Sequence, residues 1–174
     1  MNLNLQSSDF QLFGLPERFA QERAAIDARW KELQREAHPD KFAAQGQAAQ
    51  RGAMQWSVRI NEAYQRLKNP LKRAAYLCEL RGTPINAENN TAMPADFLVE
   101  QMAWREALDE ADGESDLDVL DEKLSRARAD VLQRIERLLD EQNDAASAAQ
   151  QVRTLMFIER FGQDVQSRFE QLGQ

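Results

Sequence analysis

The stretch Ile26–Phe42, IDARWKELQREAHPDKF, decides the fold of the first half of the chain. Ile26, Trp30, Leu33 and Ala37 recur at spacings of four, three and four residues. That spacing puts them on one stripe of an α-helix and leaves Lys31 and Arg35 on roughly the opposite side. Pro39 cannot donate a helical hydrogen bond and pushes His38 toward extended backbone, so the helix ends near Ala37. Downstream, Ala53, Trp56, Ile60, Ala63 and Leu67 repeat the helical period, with Tyr64 beside them. Two antiparallel helices joined by an exposed loop carrying His38, Pro39, Asp40 and Lys41 are therefore expected. Asn69 and Pro70 punctuate the chain, and Leu71–Leu80 (LKRAAYLCEL) reads as a further short helix opened by Pro70 at its first turn.

Residues 81–95 (RGTPINAENNTAMPA) hold one Gly, two Pro and three Asn. Such a composition breaks helices, and it marks a linker between two modules. Three long helical patterns follow at roughly 95–111, 116–142 and 145–172, separated by turn residues at 112–115 and by Asn143 and Asp144. Short connections between long helices imply antiparallel neighbours. The expected architecture is all-α: a helical hairpin with flanking short helices over residues 1–80, a linker over 81–95, and a three-helix bundle over 96–174.

Two helices of that bundle carry more apolar surface than one core stripe can use. At roughly 100° per residue, Phe97, Trp104, Leu108 and Ala111 cluster on one side, while Leu98, Val99 and Met102 cluster well away from them. In the last helix, Val152, Leu155, Ile158, Val165, Phe169 and Leu172 form the core stripe, and Phe157 projects roughly 120° from its centre. These extra residues either line an interface between the two modules, widen the core, or form a partner surface. In the third case Leu98, Val99, Met102 and Phe157 make the apolar centre, and Glu106 and Glu110 an acidic margin on the same face.

Composition narrows the function classes. The chain has 174 residues, 43% of them apolar, a formal net charge of −7 and a pI near 4.9. Nucleic-acid binding needs clustered Lys and Arg, and here they are dispersed among acids. The only cysteine, Cys78, cannot form an intramolecular disulfide, and among Ala75, Tyr76, Leu77 and Leu80 it reads as a small buried hydrophobe. The first twenty residues hold no long apolar run and no basic leader, so a cytoplasmic, bacterial protein with no membrane association is expected. His38 is the only histidine, and with Asp40 two residues away it invites an acid/base or metal reading. No second His, Cys pair, nucleophile elbow or phosphate-binding glycine loop accompanies it. No catalytic residue, no metal and no cofactor are expected.

The tripeptide His38-Pro39-Asp40 is the signature of the J domain, the module that triggers ATP hydrolysis in DnaK-type chaperones. Chance would produce it in about one chain in a hundred of this length, so its context matters. The run from Phe10 (FQLFGLPERF), the HPDKF at 38–42, the INEAYQRLKNPLKRAAYL at 60–77 and the helical C-terminal half together resemble the HscB family, J-type co-chaperones of iron–sulfur cluster assembly. The resemblance covers nearly the whole chain. It implies that His38, Pro39, Asp40 and Lys41, with Lys31 and Arg35 as a positive steering surface, engage a DnaK-type (HscA-like) chaperone. It further implies that Leu98, Val99, Met102, Glu106, Glu110 and Phe157 bind the IscU-like cluster scaffold protein. Ala103 departs from the family, where an acidic residue is frequent, and the resemblance implies that an electrostatic contact is either weakened or re-tuned there. Two other readings stay open: a J-domain co-chaperone for a different client, and a helical adaptor without chaperone activity. The absence of a Gly/Phe-rich linker and of zinc-binding cysteine repeats separates the chain from general-purpose J proteins.

Overall fold

The computed structural model describes residues 3–173. It is all-helical, with no strand among the described residues, and it divides into two units, Met1–Leu77 and Cys78–Gln174.

The first unit holds α1 (Asp9–Phe13), α2 (Arg23–Ala37), a 3₁₀ segment (Pro39–Gln45) and α3 (Gln47–Lys68), followed by α4 (Pro70–Leu80), in which the boundary between units falls. A five-residue helix such as α1 is not stable by itself. Its ends are fixed instead by a capping box, in which Ser8 Oγ accepts from the Gln11 N–H at 3.1 Å and Gln11 Oε1 from the Ser8 N–H at 2.8 Å. Gly14 stops it in the left-handed region at φ 62°. Its side chains Phe10, Leu12 and Phe13 are buried, and each contributes about 1.5–3 kcal/mol of apolar burial.

Between these apolar side chains lies Asp9, fully buried and charged. Arg66 grips its carboxylate with two hydrogen bonds, at 2.6 and 2.9 Å, and Arg59 Nη1 lies 2.8 Å from Oδ1. Arg59 also donates to the Leu5 and Ser7 carbonyls, and the Asp9 N–H donates to the Tyr76 hydroxyl at 3.0 Å. Asp9 thus ties α1 to α3 through its carboxylate and to α4 through its backbone N–H. Hydrophobic periodicity gave no hint of it, because it treats every charged residue as surface.

α2 and α3 pair antiparallel: Asp27 accepts from Tyr64, Trp30 and Gln34 donate to Asn61, and the Ala37 carbonyl accepts from Ser57. Partners fall in one sequence as they rise in the other, which defines the hairpin. Ile26, Ala53, Ile60, Ala63 and Leu67 are buried as the stripes predict. Trp30, Leu33, Ala37 and Trp56 are only half-buried. Trp30 stacks on Tyr64 at 4.6 Å with its indole N–H bonded to Asn61, so it covers the hairpin from one side and does not enter its centre. Asn69 accepts from the Lys72 N–H at 3.1 Å and so caps the start of α4.

The second unit begins in the last turn of α4, which ends in a Schellman turn: Thr83 donates to the Cys78 carbonyl and Gly82, at φ 80°, to that of Glu79. Residues 81–95, read from sequence as a linker, belong to this unit. The buried Arg153 donates to the Ile85 carbonyl at 3.1 and 3.2 Å and to that of Ala92 at 3.2 Å. A helix-breaking composition predicts irregular backbone correctly, but irregular backbone can still be pinned by a buried guanidinium.

Three helices follow: α5 (Ala95–Glu110), α6 (Glu114–Glu136, prolonged by a π turn at Arg137–Glu141) and α7 (Ala145–Leu172). Asp144 caps α7 by accepting from the Ser147 N–H at 3.0 Å, and hydrogen bonding from the Ser147 side chain and backbone holds the Asp144 carboxyl below its ordinary value. Leu117, Leu120, Leu124, Val131 and Ile135 of α6 face Val152, Leu155, Ile158 and Val165 of α7. The α7 stripe needs two corrections. Leu172 is 38% exposed and Phe169 half-buried, while Phe161, outside the expected stripe, is buried. The reason is that α7 has two neighbours: α6 takes the stripe, and Phe161 stacks on Trp104 of α5 at 6.1 Å. Cys78 is fully buried, and desolvation pushes its thiol up to about 11.

Candidate functional site

In the first unit the chemistry-bearing segment is the junction between α2 and α3. His38 leaves the helix with extended backbone, φ −60° and ψ 129°, and caps the 3₁₀ segment that starts at Pro39. The expected loop is thus a short, capped helical turn. His38 Nδ1 accepts from the Asp40 N–H at 3.2 Å, which folds the ring back over the start of the turn. The Asp40 side chain is 91% exposed, and its carboxylate lies 3.7 Å from Nδ1. This combination displays an anion on a turn whose shape is held by the proline ring and the histidine cap. Lys31, Arg35 and Lys41 are all exposed, and Arg35 sits in the last turn of α2, where a cation suits the helix dipole. Ala37 and Phe42, which flank the tripeptide, line an apolar hollow of about 510 Å³ with Leu33, Trp56 and Ile60. No group of side chains able to hold a metal ion occurs among the described residues.

In the second unit, α5 presents Leu98, Val99 and Met102 to solvent at 48, 70 and 73% exposure. Spacings of four along Leu98, Met102, Glu106 and Glu110 make a single face that starts apolar and ends acidic. Met102, Glu106, Glu110 and Phe157 come together in one open groove of about 570 Å³ with Gln101, Arg105 and Asp109. Leu98 and Val99 lie on the exposed surface of α5 outside that lining.

Phe157 is partly exposed, as its position off the core stripe suggests, and neighbouring rings pack on it. It is half-buried, with its ring edge-on to Phe97 at 5.7 Å and stacked on Phe161 at 5.9 Å. Phe97 in turn meets Trp104 at 5.5 Å, so four aromatic rings weld α5 to α7. One side of Phe157 supports the bundle and the other forms a wall of the groove.

Sequence reasoning missed Arg105 and Asp109. Arg105 lies over the Phe161 ring at 5.3 Å and reaches Asp164 at 3.7 Å, which leaves Glu106, Asp109 and Glu110 to give the groove its negative charge. The available signal was their spacing of three from Met102 and Glu106, which places them beside the same face.

The comparisons with known proteins agree over nearly the whole chain. A family described as the HSCB C-terminal oligomerisation domain matches residues 93–166. The chain is 49% identical over 173 residues to the co-chaperone protein HscB homolog of Burkholderia multivorans, and 46% identical to that of Burkholderia pseudomallei, covering 98% of each sequence. Among solved structures, chaperone HscB from Vibrio cholerae superposes with a TM-score of 0.81 at 34% identity, over 95% of this chain and 99% of that one. Human co-chaperone protein HscB shares the fold with a TM-score of 0.87 at 24% identity, over 95% and 84%.

Proposed function

Because the chain belongs to the HscB family of co-chaperones, a non-enzymatic family of iron–sulfur assembly, we propose that it carries an IscU-like scaffold protein to a DnaK-type, HscA-like chaperone and stimulates ATP hydrolysis there. In this reading each unit supplies one contact. The exposed carboxylate of Asp40 forms a charge-assisted bond to a chaperone arginine. Pro39 and the His38 cap keep the turn in its docking shape, which lowers the ordering cost of binding. Lys31, Arg35 and Lys41 attract an acidic partner surface and speed encounter.

On the second unit, Leu98, Val99 and Met102 are the apolar anchors, Phe157 walls the groove, and Glu106 and Glu110 select a partner with basic side chains. Binding client and chaperone through one chain raises the client's effective concentration at the chaperone. The effect on ATP hydrolysis is allosteric, and the chemistry of the cluster stays with the client. Work of this kind suits the bacterial cytoplasm, and no described helix is long and apolar enough to cross a membrane. The observation that carries the reading is one chain bearing both an exposed, capped His-Pro-Asp turn and an uncovered apolar-to-acidic helix face.

Steady-state ATPase of the HscA-like chaperone tests it, measured with this protein, with the scaffold and with both. Asp40→Asn and His38→Gln should abolish stimulation while scaffold binding and the melting curve stay as in the wild type, since both side chains lie outside the core. Equal stimulation by wild type and both variants refutes the J-type mechanism.

A further inference from the structure

Phe157 also lines a second hollow. The first, on the α5 side, is the groove made acidic by Glu106, Asp109 and Glu110. The second is a small pocket of about 90 Å³, walled by Asn90, Thr91, Met93 and Met156, with Arg153 and Arg160 as its charged residues. Both hollows lie within the second unit, and they carry opposite charge.

The α7 arginines are not equivalent. Arg153 is buried and spends its guanidinium on the Ile85 and Ala92 carbonyls, and Arg168 donates to the Ala111 carbonyl. Arg160 is exposed and has no ion-pair partner among the described residues. Its acidic neighbours on α7 are engaged elsewhere, Glu159 with Arg128 and Asp164 with Arg105. The result is an unneutralised cation at the lip of a pocket the size of one side chain, and that pocket shares Phe157 with the acidic groove.

We propose that the client-binding surface continues over Phe157 into this pocket, where Arg160 receives a carboxylate side chain of the bound scaffold protein. This extension rests on the client-binding reading of α5. It adds a charge requirement that the α5 face lacks: the bound segment of the client is basic where it meets Glu106 and Glu110 and acidic where it meets Arg160. Such a bipolar pattern fixes the direction in which the segment lies across Phe157, because the reversed orientation sets like charges together at both ends.

Calorimetric titration of the full chain with the iron–sulfur scaffold protein tests the proposal with Arg160→Glu, Arg160→Lys, Met102→Ala and, as a control on an exposed arginine of α6, Arg134→Glu. Arg160→Glu should weaken binding about tenfold or more, with the loss shrinking at high salt. Arg160→Lys should keep most of the affinity, and Arg134→Glu should match the wild type. If Met102→Ala weakens binding and Arg160→Glu does not, the extension is wrong and the α5 reading stands. Normal binding by both refutes the α5 reading and the extension with it. Loss with Arg160→Glu alone, and none with Met102→Ala, places the client elsewhere than across Phe157 and likewise overturns the proposal. Should Arg160→Glu melt early, Arg160→Gln removes the charge without adding repulsion, and the same titration decides.

Discussion

Replacing Phe157 with Ala separates what holds the bundle together from what a partner touches. The ring is half-buried and makes two aromatic contacts, with Phe97 at 5.7 Å and Phe161 at 5.9 Å. Aromatic pairs contribute about 0.5–1.5 kcal/mol each beyond their buried area, and truncating a fully buried Phe costs about 3–5 kcal/mol. A ring with one face open to the groove should cost about 2 kcal/mol, between a surface and a core substitution. For a chain of this length that corresponds to a fall in Tm of about 4–8 °C. Leu98→Ala with Met102→Ala removes side chains that are 48 and 73% exposed. That pair should move stability by no more than about 0.5 kcal/mol per site. Scaffold binding should nevertheless weaken at least about tenfold in both cases, since well-packed apolar anchors are worth about 1–4 kcal/mol. Thermal melting and calorimetric titration of the two variants decide. A wild-type melting curve for Phe157→Ala means the four rings do not support the bundle. Melting of the Leu98/Met102 pair as early as Phe157→Ala puts those side chains in the interior, and normal scaffold binding by the pair removes the α5 face from the client site.

Lys31→Glu with Arg35→Glu should slow association with the chaperone in stopped-flow mixing, and the wild-type rate should fall with added salt; a salt-independent rate unaffected by the reversal leaves the face merely solvated. Asp9→Ala strands Arg59 and Arg66, so it should cost about 3 kcal/mol by denaturant titration, at the low end for a broken buried pair because Arg66 is 39% exposed. The raised thiol of Cys78 gives a pH dependence of definite sign: its contribution to stability is complete below the ordinary value of 9.0 and is lost as pH rises toward about 11, where the folded form also ionises. At pH 8 the folded protein should therefore resist a thiol reagent that labels the unfolded chain rapidly, and equal labelling rates would contradict burial.

The all-helical fold was legible because most of its stability lies in stripes a helical wheel can see, such as Ile60, Ala63 and Leu67 on α3 or Leu117, Leu120 and Leu124 on α6. What the wheel misses are positions where a second neighbour or a charge decides. Phe161 is buried because α7 also packs on α5, and a pattern read along one helix contains no information about how many helices surround it. Asp9 and Arg153 are buried for a related reason. Each exchanges hydration for several hydrogen bonds to groups more than fifty residues away, and no local rule connects those positions.

The candidate sites show the same division. His38-Pro39-Asp40 could be read directly, since the residues are contiguous and the proline dictates that they sit at a helix end. The capped turn they form could not, because the Asp40 N–H has two competing uses, a loop's water or the His38 ring, and only the backbone geometry chooses between them. On α5 the apolar residues announced themselves by having no place in a core stripe. Arg105, Asp109 and Arg160 did not, since exposed charges are ordinary and acquire meaning only from their partners. Arg105 is held over Phe161 and near Asp164, whereas Arg160 is held by nothing comparable, and that difference appears only once α7 is packed. A charged side chain near an apolar site is therefore best judged by whether the fold has already neutralised it. By that test Arg160 remains available to a partner, and Arg153, in the same pocket, does not.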